Sequence, residues 1–119
     1  MQSILKTPYQ EFFEFMYQIV VYIPKGSSER VKNAMFEQGG GKTDHYEMAC
    51  WQTEGVGQYK PREGAKPFLG KIGELHKEAE IRVEMICKKE YVKDVIQAML
   101  LAHPYEEPAY YVSKNDTLS

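Results

Sequence analysis

Apolar residues recur along this chain with two different periods, and the switches between them mark out its elements. MYQIVVYI, residues 16–23, is β-branched and aromatic and stops at Pro24-Lys25-Gly26, which reads as a buried strand and its turn. Ser27 or Ser28 can cap a following helix, with Glu29 in its first turn and Val31, Ala34 and Met35 at helical spacing. Gly39, Gly40 and Gly41 end it, because glycine suits the position just beyond a helix C-terminus. HYEMACWQT, residues 45–53, predicts a second strand, with Met48 and Cys50 on one face and Ala49 and Trp51 on the other. From Glu54 to Glu74 five glycines and two prolines break the pattern, around hairpin-like pieces at VGQYKP and PFLG. A loop or β-excursion of that length is often functional. In EIRVEMICKK, residues 80–89, Ile81, Val83, Met85 and Cys87 alternate with Arg82, Glu84 and Ile86, the mark of a strand with one face in the core. YVKDVIQAMLLAH, residues 91–103, carries a helical stripe of Val92, Val95, Ile96, Met99 and Leu100, and PAYYVSK, residues 108–114, supplies a last strand.

The order strand, helix, strand, excursion, strand, helix, strand contains two βαβ halves. With right-handed crossovers these give an α+β, ferredoxin-like βαββαβ sandwich with both helices on one sheet face, and an extra β-hairpin excursion between the second and third core strands. A chain of 119 residues with 43% apolar and 13% aromatic residues suffices for one core. Residues 1–119 are therefore read as a single domain, with an N-terminal extension over 1–15 and a flexible tail over 113–119. The sheet face away from the helices would carry Val20, Tyr22 and Ile86, so self-association into a homo-oligomer is expected to cover it.

Fifteen Lys and Arg against seventeen Asp and Glu give a net charge of −2, without the basic excess that binding to a phosphate backbone requires; no nucleic-acid partner is expected. The apolar run FFEFMYQIVVYI, residues 12–23, is broken by Glu14 and Gln18, is too short for a bilayer and lacks a leader's basic start and cleavage site. No membrane partner and a cytoplasmic location are expected. Cys50 and Cys87 form no CxxC pair. They read as reduced, buried thiols, although the strands expected to carry them would be neighbours.

Four segments together resemble the inserted domain of the Nif-three-like (YqfO-type) family, over about Tyr17 to Val112. They are the glycine turn into an aromatic strand, GGGKTDHYEMACW; a GxGxFxP-like run, Gly55 to Pro61; a PFxGxxGxLE-like run, Pro67 to His76; and the tail AHPYEEPAYYV. Where the family has GNY this chain has Asp44-His45-Tyr46, where it has LE this chain has Leu75-His76, and the last acid of PAYD is Tyr111. The resemblance implies a fold similar to PII signalling proteins and CutA, which build trimers or other compact oligomers. In longer members the domain interrupts a metal-binding, hydrolase-like protein. The flanking halves that would hold the paired metals do not occur among these residues, so the resemblance implies a standalone version of the inserted domain.

GGGKT, residues 39–43, suggests a phosphate loop, but the pattern would need glycine at Phe36, and this turn leaves a helix for a strand rather than the reverse. His103 closes the second helix, where a positive imidazole suits the helix dipole and can bond free carbonyls, and Pro104 stops the helix. Glu106 and Glu107 then read either as solvated turn acids or as one wall of a site. A groove between the excursion and the HPYEEP turn would draw Tyr59, Lys60, Arg62 and Lys66 from one side and His103, Tyr105, Glu106 and Glu107 from the other. Its cations suit an anion or nucleotide phosphate. A second reading gives a divalent metal ion to His45, His76 and His103, within one subunit or across an interface, although no HxH or HxxxH pair forces them together. Ser27, Ser28, Ser113 and the cysteines lack a neighbouring histidine and acid to activate them. The expectation is a non-enzymatic, oligomeric binding or regulatory module, dimer or trimer, with a small-molecule ligand or a protein partner; the metal-binding protein is its alternative.

Overall fold

Ile19, Val21 and Ile23 alternate with Gln18, Val20 and Tyr22 along Met16–Pro24, and this strand, β1, lies inside a four-stranded sheet. The computed structural model describes residues 16–114; the N-terminal extension expected over 1–15 and residues 115–119 lie outside it. After β1 come a 3-10 turn at Lys25–Ser27, then α1 (Ser28–Glu37), β2 (Trp51–Tyr59), β3 (His76–Lys88), α2 (Lys89–Ala102) and β4 (Tyr110–Lys114). The sheet order is β2-β3-β1-β4 with every neighbouring pair antiparallel. That is the α+β arrangement the pattern predicts. Ser113 and Lys114 belong to β4, so no loose tail begins at 113.

One face of the sheet holds the core. Ile19, Val21 and Ile23 of β1 and Ile81, Val83, Met85 and Cys87 of β3 pack against Val31 and Met35 of α1 and Val95 and Met99 of α2. Burying each such side chain contributes on the order of 1.5–3 kcal/mol relative to leaving it in water.

The helix ends differ from expectation in instructive ways. Neither serine caps α1 through its side chain: Ser27 occupies the cap position without a side-chain bond, and the Ser28 hydroxyl donates back to the Lys25 carbonyl at 2.9 Å. The 3-10 turn wound just ahead of the helix places that carbonyl within reach of Ser28. At the other end Gly39 takes φ 106°, while the Gly40 and Gly39 amides donate to the Met35 and Phe36 carbonyls, each at 3.0 Å. This double closure ends the helix, so GGGKT is a stop signal.

The second strand lies six residues later than the pattern suggests. Residues 45–50 form an exposed loop, anchored where Gly41 donates to the Ile86 carbonyl at 2.8 Å and Ala49 donates to the Gly41 carbonyl at 2.9 Å. The strand runs instead through Gly55 and Gly57, and β3 begins at His76, so the excursion shrinks to residues 60–75 at the tip of a long hairpin. β2 is an edge strand with mostly exposed side chains. Backbone pairing holds it, and apolar alternation cannot mark it.

The face away from the helices is mixed rather than bare apolar surface. Arg82 lies 5.8 Å over the Tyr22 ring and 3.1 Å from Glu84, and Tyr22 meets Tyr111 edge-on at 6.4 Å. Trp51 and Tyr111 remain 59% and 63% exposed there. Among the described residues no helix is long and apolar enough to cross a membrane.

Candidate functional site

The HPYEEP turn is fixed by one residue of β1. Tyr22 accepts from His103 Nε2 at 2.7 Å through its carbonyl, and its amide donates to the Ala109 carbonyl at 3.2 Å. His103 Nδ1 in turn accepts the Tyr105 amide at 3.1 Å. Both ring nitrogens are therefore engaged, Nε2 as donor and Nδ1 as acceptor, which is the pattern of a neutral imidazole. Burial agrees: His103 is 6% exposed and desolvation holds its pKa below the usual histidine value. The charged helix cap expected there is thus absent, and the last carbonyl of α2, Ala102, is capped by Arg30 of α1 through Nε at 3.2 Å and Nη2 at 2.9 Å.

Tyr105, oriented by His103, sends its hydroxyl to Glu80 Oε2 at 2.8 Å. Burial and the Glu80 carboxylate together raise the tyrosine's pKa. Glu80 can lie where it does because Gly57 has no side chain: a Cβ on Gly57 would collide with the Glu80 carboxyl group. Tyr59, two residues on, packs between His76 and Tyr105 with ring centroids 5.2 and 5.6 Å away, and donates to the Leu69 carbonyl at 2.7 Å. Desolvation raises its pKa as well. Loop 60–75 is closed by Gly73 donating to the Pro61 carbonyl at 2.8 Å, and is tied to the turn by the Lys66 amide, which donates to Glu106 Oε1 at 3.1 Å.

Between loop and turn lies a cleft of about 460 Å³, within the range of small-molecule sites. Its floor is the open sheet face at Tyr22, Gly57 and Glu80; Tyr59, Tyr105 and Phe68 add rings, and Lys60, Arg62, Glu106 and Glu107 stand at the rim. Of the residues that the sequence points to, Tyr59, Lys60, Arg62, Tyr105, Glu106 and Glu107 line this space. Lys66 does not line it and only ties the loop to Glu106 through its backbone amide, and His103 lies behind Tyr105 as its support. Sequence reasoning passes over Tyr22, Gly57, Phe68 and Glu80. The available signal is the glycine of GVGQY facing a strand acid, legible only once the hairpin register is known.

The three histidines do not meet within the subunit. His76 starts β3 and pairs with Glu78 at 2.8 Å, whereas His45 adjoins Asp44, which bonds Lys88 at the other end of β3. A 13-residue strand separates its ends by about 40 Å. Among the described residues no group of three or more His, Cys, Asp and Glu side chains is arranged to hold a metal ion. Cys50 is exposed on the loop and Cys87 is buried under the helices; both are free, and burial pushes the Cys87 thiol up to about 11.

No family model matches the chain. It is 43% identical over 93 residues to a GTP cyclohydrolase 1 type 2 homolog of Bacillus subtilis, a match covering 78% of this chain and 25% of that protein. The chain spans about a quarter of the length of the curated relatives it matches. Among solved structures, a Bacillus cereus protein related to NIF3 superposes with TM-score 0.73 and 36% identity, over 87% of this chain and 26% of its own. CutA from Xylella fastidiosa superposes with TM-score 0.60 and 16% identity, over 86% of this chain and 85% of its own. The GlnK–ATP complex of B. subtilis gives 0.59 and 11%, over 87% and 84%. These last two establish the shared fold.

Proposed function

We propose, from the premise that this chain belongs to the NIF3/YqfO family and corresponds to a CutA-like portion of it, that it is a non-enzymatic binding module. It takes a small molecule in the cleft between loop 60–75 and the HPYEEP turn, and acts as a cytoplasmic homo-oligomer that regulates a partner according to occupancy. The observation that carries this reading is the convergence of two motif segments, GVGQYKP and HPYEEP, on one aromatic-walled recess. Its lining combines rings and other apolar groups with a few charged side chains, the composition of a small-molecule binding site. Exposed Trp51 and Tyr111 on the open face support self-association, and two free thiols suit a reducing compartment.

An amide-resolved NMR screen of a small-molecule library tests the binding role. Hits should converge on the amides of Gly57, Tyr59 and Tyr105; a screen whose hits all map elsewhere removes it. Sedimentation across micromolar concentrations tests assembly separately. A strict monomer would refute the oligomer, and Tyr111→Glu should shift an oligomer towards smaller species.

A further inference from the structure

The charges of the cleft are not evenly placed. Lys60, Arg62, Glu106 and Glu107 are exposed at the rim, whereas Glu80 is half-buried on the floor. The Tyr105 hydroxyl holds it through Oε2, and the missing side chain of Gly57 leaves the room that its carboxyl group occupies. Among the described residues no donor is bonded to Oε1. Oε1 is reached by solvent, since no buried side-chain oxygen among the described residues lacks a partner, so a donor on a ligand would take the place of water there. A phosphate or carboxylate driven towards that floor would meet like charge. A cation would instead gain a charge-assisted hydrogen bond to Glu80 and attraction from the ring faces around it.

Resting on the binding role proposed above, the geometry points to a ligand that carries a protonated amine on an aromatic or apolar body and enters the cleft amine first, with its nitrogen lodged against Glu80. The recess of about 460 Å³ is far larger than an ammonium group, so the body fills the space between the rings of Tyr59, Tyr105, Tyr22 and Phe68. Lys60 and Arg62 at the rim leave room for an acidic group at the outer end. A zwitterion whose amine and acid stand at opposite ends of its body therefore pairs both charges best with the amine inward.

The test uses three 4-substituted phenols, tyramine, its neutral isostere 4-propylphenol and 3-(4-hydroxyphenyl)propionate, titrated into the full chain and followed at the Gly57, Tyr59 and Tyr105 amides. Tyramine should bind saturably, with the neutral and acidic probes weaker by about tenfold or more, the equivalent of one charge-assisted bond. Glu80→Gln, nearly isosteric, should weaken tyramine by a similar factor while leaving the amide spectrum elsewhere unchanged. Should that variant lose its fold, the ranking of the three probes on the unmodified chain decides alone. Tighter binding of the acid, equal binding of all three, or indifference of tyramine to Glu80→Gln would overturn the inference while leaving the cleft a binding site. If none of the probes moves those amides, the inference falls, and the binding role stands or falls separately on the library screen.

Discussion

Gly57→Ala should destabilise the protein, and the same substitution should stabilise it once Glu80 has been removed. Gly57 is absent from the glycines that require positive φ, so alanine is compatible with its backbone. In a strand that change ordinarily contributes about 0.5–1 kcal/mol of stability. Here the new methyl group would displace the Glu80 carboxyl and break its bond from Tyr105. A hydrogen bond to a charged group contributes roughly 1.5–3 kcal/mol; with both partners half-exposed, about 1.5 applies. The net effect of Gly57→Ala is then a loss of about 0.5–1 kcal/mol, against a similar gain in the Glu80→Ala background, and the coupling in the cycle is about 1.5 kcal/mol. Gly55→Ala on the same strand meets nothing within 4 Å and should be stabilising in either background. Urea unfolding of the variants at one fixed protein concentration measures every corner of the cycle. Additivity of Gly57→Ala and Glu80→Ala within about 0.5 kcal/mol would refute the geometry.

In native protein a thiol reagent should modify Cys50 at once and Cys87 only as the chain unfolds, because Cys87 is buried and its thiol is pushed up to about 11; equal rates by mass spectrometry would contradict the packing. His103→Leu should cost about 2–4 kcal/mol, since the Tyr22 carbonyl and Tyr105 amide each lose a partner. In the unmodified protein, stability should be full above pH 6.5 and decline as pH falls below it, because the unfolded chain then takes up a proton that folded His103, with its lowered pKa, resists. Denaturation series from neutral to mildly acidic pH should show that part of the decline missing from His103→Leu, and a parallel decline in the variant would disprove the assignment.

The parts of the fold legible in the sequence are those that buried side chains specify. β1, β3 and both helices each put an apolar face into one core, so the periods of Ile19, Val21, Ile81, Val83, Val95 and Met99 mark them. β2 is different in kind: backbone pairing with β3 holds it and it puts no apolar face into the core, and the HYEMAC segment ahead of it mimics a strand while forming an exposed loop. The site divides in the same way. Tyr59, Arg62, Tyr105 and Glu106 lie in motif segments and can be found by inspection, but Glu80 reads as one more polar position of an alternating strand. Its importance comes from a diagonal neighbour, Gly57, and that relation depends on a register that no local pattern prints. His103 illustrates the opposite error. Its place at a helix end suggests a charge, yet burial and the Tyr105 amide donated to its Nδ1 favour the neutral ring, while Nε2 reaches a carbonyl 81 positions away in sequence.

Tyr22 is shared by two surfaces. Its ring forms part of the cleft floor and also touches Tyr111 and Arg82 on the sheet beyond. Whatever settles on Tyr111 and Arg82 presses on the same ring that an occupant of the recess would touch. By thermodynamic reciprocity, a molecule that tightens this contact tightens its own hold to the same degree, so occupancy and association would be read out through a single aromatic hinge.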